Sequence, residues 1–241
     1  MNLKRTAINT VSAASGLVRY NLKIIFANRF IFFLAAALGI FILVTVLNIV
    51  NPDANTNQGT IYWLLLVPGV LLVFYPSVFG IQNDVDSRMI EILFGIPDYR
   101  YKVWLLRLVI VFALTFVILL VLAFLSTFAL IDIPVFTMAA QVMFPVLFFG
   151  SIAFMVSTIV TNGSAAAVVM IVGGIGLWIA QSSISRSKWN PFLNPFNIPQ
   201  NVSDTVWADI ALQNRIYLTA VIFAVLLYAL LNLQKREKFM R

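Results

Sequence analysis

The chain has 241 residues, of which 61% are hydrophobic and 10% charged, where an ordinary soluble domain has roughly 45–50% and 25%. A water-soluble globular fold is excluded. The balance of 16 Lys and Arg against 9 Asp and Glu gives +7, too sparse for a nucleic-acid binder, which needs basic residues lining one face, so the surplus calls for a membrane explanation. Cysteine and histidine are both absent, which removes disulfides, thiolate or imidazole metal ligation, and Cys or Ser-His nucleophilic catalysis.

Residues 1–29 come first. Ile8, Val11, Val18, Leu22, Ile25 and Phe26 recur at helical spacing, with Arg19 and Lys23 on another face and Gly16 as the weak point. An amphipathic helix lying in the membrane interface is expected. Its bland alternative is a simple positively charged anchor.

Crossing a hydrocarbon core takes about 20 mostly apolar residues. Uncharged runs of that kind occupy 30–50, 61–81, 108–131 and 139–160, and two shorter ones occupy 165–180 and 217–233. The fifth borrows Gln181, Ser182 and Ser183 to reach full thickness. With the amino terminus cytoplasmic, thirteen of the 16 basic residues lie on that side, leaving Arg186, Lys188 and Arg215 opposite. The positive-inside bias thus favours six crossings with both termini cytoplasmic. A cleavable signal peptide is not expected, because the first apolar run is too long and has no small-x-small site before Asn51. No repeat of 20 to 50 residues is evident, which weakens an inverted-repeat carrier.

The spans carry no Asp, Glu, Lys or Arg. Thr45, Asn48, Ser77, Gln141, Ser151, Ser157 and Thr158 are available either to line a path or to bond between helices, the second being favoured. Pro68, Pro76 and Pro145 should bend their spans, while Gly173, Gly174, Gly176 and Ala180 permit close approach in the fifth.

Between the second and third spans, residues 84–107 are the one stretch dense in both signs of charge. Asp84 and Asp86 suit the start of a helix, Met89, Ile90, Leu93 and Phe94 give it an apolar face, and Gly95 with Pro97 stops it. A short amphipathic helix on the cytoplasmic side is expected, a knob for a partner protein; the alternative is a solvated loop.

This segment resembles the ABC-2 type (type V) permease family. That family carries here an acid, a second acid two positions on, Gly-Thr, then an acid, apolar residues, a Pro, an Arg and a Gly-Lys opening the third span. The matching residues are Asp84, Asp86, Glu91, Ile92, Leu93, Pro97 and Arg100, with Arg107 at the Lys; Arg88 and Met89 replace Gly-Thr, and Leu106 replaces the Gly. The motif covers about a tenth of the chain. The hydropathy pattern, the interfacial segment and the loop before the last span extend the likeness.

The resemblance implies an all-α integral membrane protein with six transmembrane helices, an N-terminal interfacial helix and a cytoplasmic coupling helix at 84–97. That helix would dock on a separate ATP-binding subunit through Asp84, Asp86, Arg88, Glu91, Leu93, Phe94, Pro97 and Arg100. No G-x-x-x-x-G-K-[ST] occurs in the chain, so ATP and Mg are expected on that partner subunit. No cofactor, metal or nucleic acid is expected on this chain. A second permease chain, identical or related, is implied, as is a bacterial inner-membrane location and export of a hydrophobic, lipid-like or drug-like substrate.

The segment 181–214 has Pro191, Pro195 and Pro199 interleaved with Trp189, Phe192, Phe196 and Ile198, then a helical-looking stretch with Val206, Trp207, Ile210 and Leu212. Similar permeases place a re-entrant helical hairpin there; an aromatic surface loop is the alternative. Two other functions stay open. A lipid-acting enzyme needs acids or metal ligands, and Asp84, Asp86, Glu91 and Asp98 with basic neighbours make a poor set. A secondary carrier, channel or non-transporting scaffold is the stronger rival.

Overall fold

A computed structural model describes residues 30–51, 56–86, 100–160, 162–185, 187–200 and 202–234, with backbone alone at 100–102. The interfacial segment 1–29 and residues 87–99 of the expected coupling helix lie outside the described residues.

The helices are α1 (Phe30–Val50), α2 (Gln58–Asp86), α3 (Leu106–Ala129), α4 (Val135–Val160), α5 (Gly163–Ile184) and α6 (Asp204–Asn232), and a π-helical turn, Arg100–Leu105, leads into α3. Among the described residues there is no strand. All six helices are long and apolar enough to cross a membrane, which makes the chain an all-helical multi-pass membrane protein.

Four helices run well past the apolar ranges read from the sequence. The second continues through Gln82, Asn83, Asp84 and Asp86 because each polar side chain finds a partner. Gln82 Nε2 donates to Asp86 Oδ2 at 3.4 Å, Asn83 Nδ2 donates to the Tyr75 hydroxyl at 3.3 Å, and Asp84 accepts from Arg107. Asp84 and Asp86 therefore lie in the last turn of α2, and the expectation that they open a new helix is corrected. The fourth begins at Val135, directly after Pro134, which accepts from the Met138 amide at 2.8 Å. The fifth starts at Gly163, where Asn162 Oδ1 accepts from the Ala165 amide at 3.0 Å and Gln82 Oε1 accepts from the Gly163 amide. The sixth gains thirteen residues at its start, because the stretch 204–216 is continuous with it. Between α5 and α6 the described residues run as turns with no helix.

Helices α2 and α4 form the centre, with α1 against α2, α3 and α5 against both, and α6 against α4. Two glycines mark close approaches among α2, α3 and α4. A Cβ on Gly69 would lie 2.8 Å from Val146, and one on Gly150 would lie 2.6 Å from Phe112, so α2, α3 and α4 meet there without room for a methyl group. Pro68, Pro76 and Pro145 all lie inside helices, each removing one backbone donor. At the end near Val160, Asn232 Nδ2 donates to Thr158 O at 2.7 Å and fixes α6 to α4.

The outer helices differ in how much they bury. In its most apolar stretch α2 is 61% buried, α1 22% and α5 17%, so most of the surface of the last two awaits lipid or another chain.

Candidate functional site

Three places in the bundle carry features beyond apolar packing. The first is the base of the charge-dense connector. Asp84 ends α2 and Arg107 opens α3, and Arg107 Nη1 donates to Asp84 Oδ2 at 2.8 Å with both side chains buried. Burying either charge alone costs solvation, and pairing offsets that cost for both. The π-helical turn just before α3 brings Trp104 beside the pair, its ring centroid 5.1 Å from the guanidinium.

Of the residues read as partner-binding, Asp84 and Asp86 are in place on α2 and Arg100 begins the π-helical turn. Arg88, Glu91, Leu93, Phe94 and Pro97 fall in 87–99, outside the described residues. Arg107, aligned in the sequence with the last basic residue of the motif, is thus joined to the first acid of the same motif.

The second is an apolar cavity of about 560 Å3. Most of its lining comes from α2, with Trp63, Val70 and Phe74, and from α5, with Ile171 and Trp178; Phe33 on α1, Phe149 on α4 and Phe192 from the turn segment complete it. Phe192 makes aromatic contacts there: it lies 5.1 Å from Phe149 and 6.0 Å from Trp63, centroid to centroid. Gly173, Gly174 and Gly176 have open space where a side chain would stand.

The third is a polar clasp where the turn segment meets the helices. Residues 190–196 repeat Asn-Pro-Phe, and each Asn side chain accepts from the Phe amide two residues on, Asn190 from Phe192 at 2.9 Å and Asn194 from Phe196 at 3.0 Å. Each Asn carbonyl also accepts from the amide three residues on, Leu193 at 3.2 Å and Asn197 at 3.4 Å, so side chain and backbone together fix each turn. Asn194 Nδ2 then donates to Gly59 O at 2.9 Å, and Asn214 Nδ2 donates to Lys188 O and Asn190 O, both at 2.9 Å. Trp207 Nε1 donates to Pro195 O at 3.1 Å.

Arg215 is the centre of this clasp. Its Nε donates to Gln141 Oε1 at 2.8 Å, Nη1 to Asn214 Oδ1 at 2.8 Å, and Nη2 to the Tyr62 hydroxyl at 3.4 Å and Leu193 O at 3.3 Å. Sequence reading counted Arg215 as a loop charge and missed it. The doubled Asn-Pro-Phe and the adjacent Asn214-Arg215 were the available signal. The polar residues singled out within the spans divide. Gln141 and Thr158 bond to other helices, Asn48 bonds back to Val44 O at 2.8 Å, and the hydroxyls of Thr45, Ser77 and Ser151 are buried without a hydrogen-bond partner among the described residues.

Among the described residues no three acidic side chains gather as a metal site. No protein-family model, no curated protein and no solved structure matches this chain.

Proposed function

We propose that the chain is the membrane-spanning permease subunit of an ATP-driven transporter of the ABC-2 type, working with a second permease chain and a separate subunit that binds ATP and Mg. Its cargo is hydrophobic, lipid-like or drug-like and is exported. The termini and the 87–99 connector face the cytoplasm of a bacterial inner membrane.

The observation that carries this reading is the buried Arg107–Asp84 pair at the base of the connector. A partner pushing on the connector needs both of its legs to move together, and a buried, charge-assisted bond between the legs meets that need. One leg is α2, which packs against α1, α3, α4 and α5. A tilt of α2 therefore reshapes the apolar cavity that α2 itself largely lines. Helices α1 and α5, the least buried of the six, flank that cavity and offer the faces on which a second chain would enclose a path; the open glycines of α5 allow a backbone to come close.

Co-purification from native membranes tests the whole reading. An ATPase subunit carrying its own G-x-x-x-x-G-K-[ST] should accompany the tagged chain, and its ATP hydrolysis should respond to the permease. Recovery of the chain without any ATPase would shift the function to a carrier, channel or scaffold.

A further inference from the structure

Arg215 is 6% exposed, yet every group that holds it is neutral: the carbonyls of Gln141, Asn214 and Leu193, and the Tyr62 hydroxyl. The Phe144 ring packs 5.2 Å from its guanidinium carbon. Among the described residues no carboxylate pairs with it, and its four hydrogen bonds leave one Nη1 hydrogen without an acceptor. Buried charges are normally neutralised by a counter-charge. Among the described residues none stands beside Arg215.

The same guanidinium forms the end of a second cavity, of about 320 Å3, built along one face of α6. Its α6 lining falls at 204, 207, 208, 211, 212 and 215, the spacing of a single helix face. Trp207, Ala208 and Ala211 leave the wall apolar and roomy, Gln141 stands beside Arg215, and Asp204 marks the opposite end. Asp204 lies eleven positions before Arg215, about 16 Å of helix rise, so the acid does not neutralise the guanidinium.

We infer that this cavity binds one singly charged oxyanion, a carboxylate or phosphodiester, seated on Arg215 with an attached apolar chain along the Trp207–Ala211 wall. The oxyanion supplies the counter-charge, accepts the remaining Nη1 hydrogen, and leaves the four existing bonds in place. The assignment of this ligand as cargo rests on the permease reading. Its binding does not.

The test uses the full chain in detergent and reads quenching of Trp207 as the difference between the native chain and Trp207→Phe. A lysophosphatidylglycerol with a brominated acyl chain should quench saturably, about tenfold more tightly than a monoacylglycerol with the same chain. Arg215→Gln should abolish that preference. Because this variant also removes bonds that hold the clasp, Ala211→Phe provides a second arm: it fills the cavity, keeps every Arg215 bond, and should abolish quenching with the thermal midpoint unchanged. Competition by inorganic phosphate would assign the affinity to the oxyanion alone, and its absence would assign it to the whole amphiphile; both uphold a negative ligand at Arg215. Equal quenching by the neutral lipid, or full binding in folded Ala211→Phe, overturns the inference. Binding in a chain that brings down no ATPase would leave this site standing and sink the transporter reading instead.

Discussion

Arg107 and Asp84 stand 23 residues apart in sequence and 2.8 Å apart in space, joining the first residues of α3 to the last turn of α2. Everything in the charge-dense connector hangs between them. Removing Asp84 takes the counter-charge from the buried Arg107 guanidinium, so Asp84→Leu should destabilise the protein by about 3–5 kcal/mol. Replacing both with Asp84→Leu and Arg107→Met should recover most of that loss, since an apolar pair of similar volume is often neutral in place of a buried ion pair. Transport per ATP should stay low in the double variant, because the legs are no longer tied by a directional bond. Thermal denaturation in detergent, set beside ATPase and transport rates in proteoliposomes, separates the two effects. Full coupling in the stable double variant would show that the pair serves the fold alone.

The connector itself is addressed by Glu91→Arg and Leu93→Asp. On the permease reading these alter the charge and the apolar face offered to the ATPase subunit, and each should reduce its co-purification while membrane insertion is unchanged. Retention of the partner together with full transport in both variants would remove the coupling role from 84–97.

Topology can be mapped with single cysteines, because the native chain has none. Positions 57 and 203 flank α2 and α6 at the clasp end of the bundle, whereas 98 and 238 lie in the connector and the C-terminal segment. A thiol label that does not cross membranes should reach Asn57→Cys and Ser203→Cys in intact cells. It should reach Asp98→Cys and Lys238→Cys only after permeabilisation. Labelling of Asp98→Cys in intact cells would overturn the orientation.

The six crossings were legible in the sequence because bilayer thickness forces long uncharged runs, and a run such as 30–50 needs no tertiary context to be recognised. Not every helix end was legible. Gln82 through Asp86 look like loop by hydropathy, and the helical-looking stretch around Val206 to Leu212 reads as part of an external segment, yet each is continuous with the helix of a span. Their polar side chains are satisfied by groups far away in the chain: Asp84 by Arg107, Arg215 by Gln141 and Tyr62, Asn214 by Lys188. No local pattern encodes such pairs. Trp207 looked like part of an aromatic external segment for the same reason, since its acceptor is the carbonyl of Pro195 twelve residues earlier.

The last prediction concerns the second permease chain. On the permease reading, α1 and α5, the least buried helices, are the expected pairing surface, and the structure refines which positions to probe. Ala37, an obvious choice on α1 by sequence, is fully buried against the rest of the bundle, so a cysteine there would report nothing about a neighbour. Ile42 and Val46 on α1 and Ile179 on α5 are exposed, and Gly176 has open space around it. Lipid would cover such faces equally well if they were uniformly bulky. Three glycines within four positions, at 173, 174 and 176, instead remove side-chain bulk where lipid contact gains nothing from its removal, and that favours a protein neighbour at close range. Cysteines at Ile42, Val46, Gly176 and Ile179 should therefore give disulfide-linked dimers under mild oxidation, most strongly where two copies approach their shared axis. Val121 and Phe128 on α3, exposed to a similar degree, serve as controls and should remain monomeric. Mass measurement in nanodiscs should show two permease chains, identical or related. Cross-linking as strong from α3 as from α1 and α5, or a single chain that still transports, would place the working surface elsewhere.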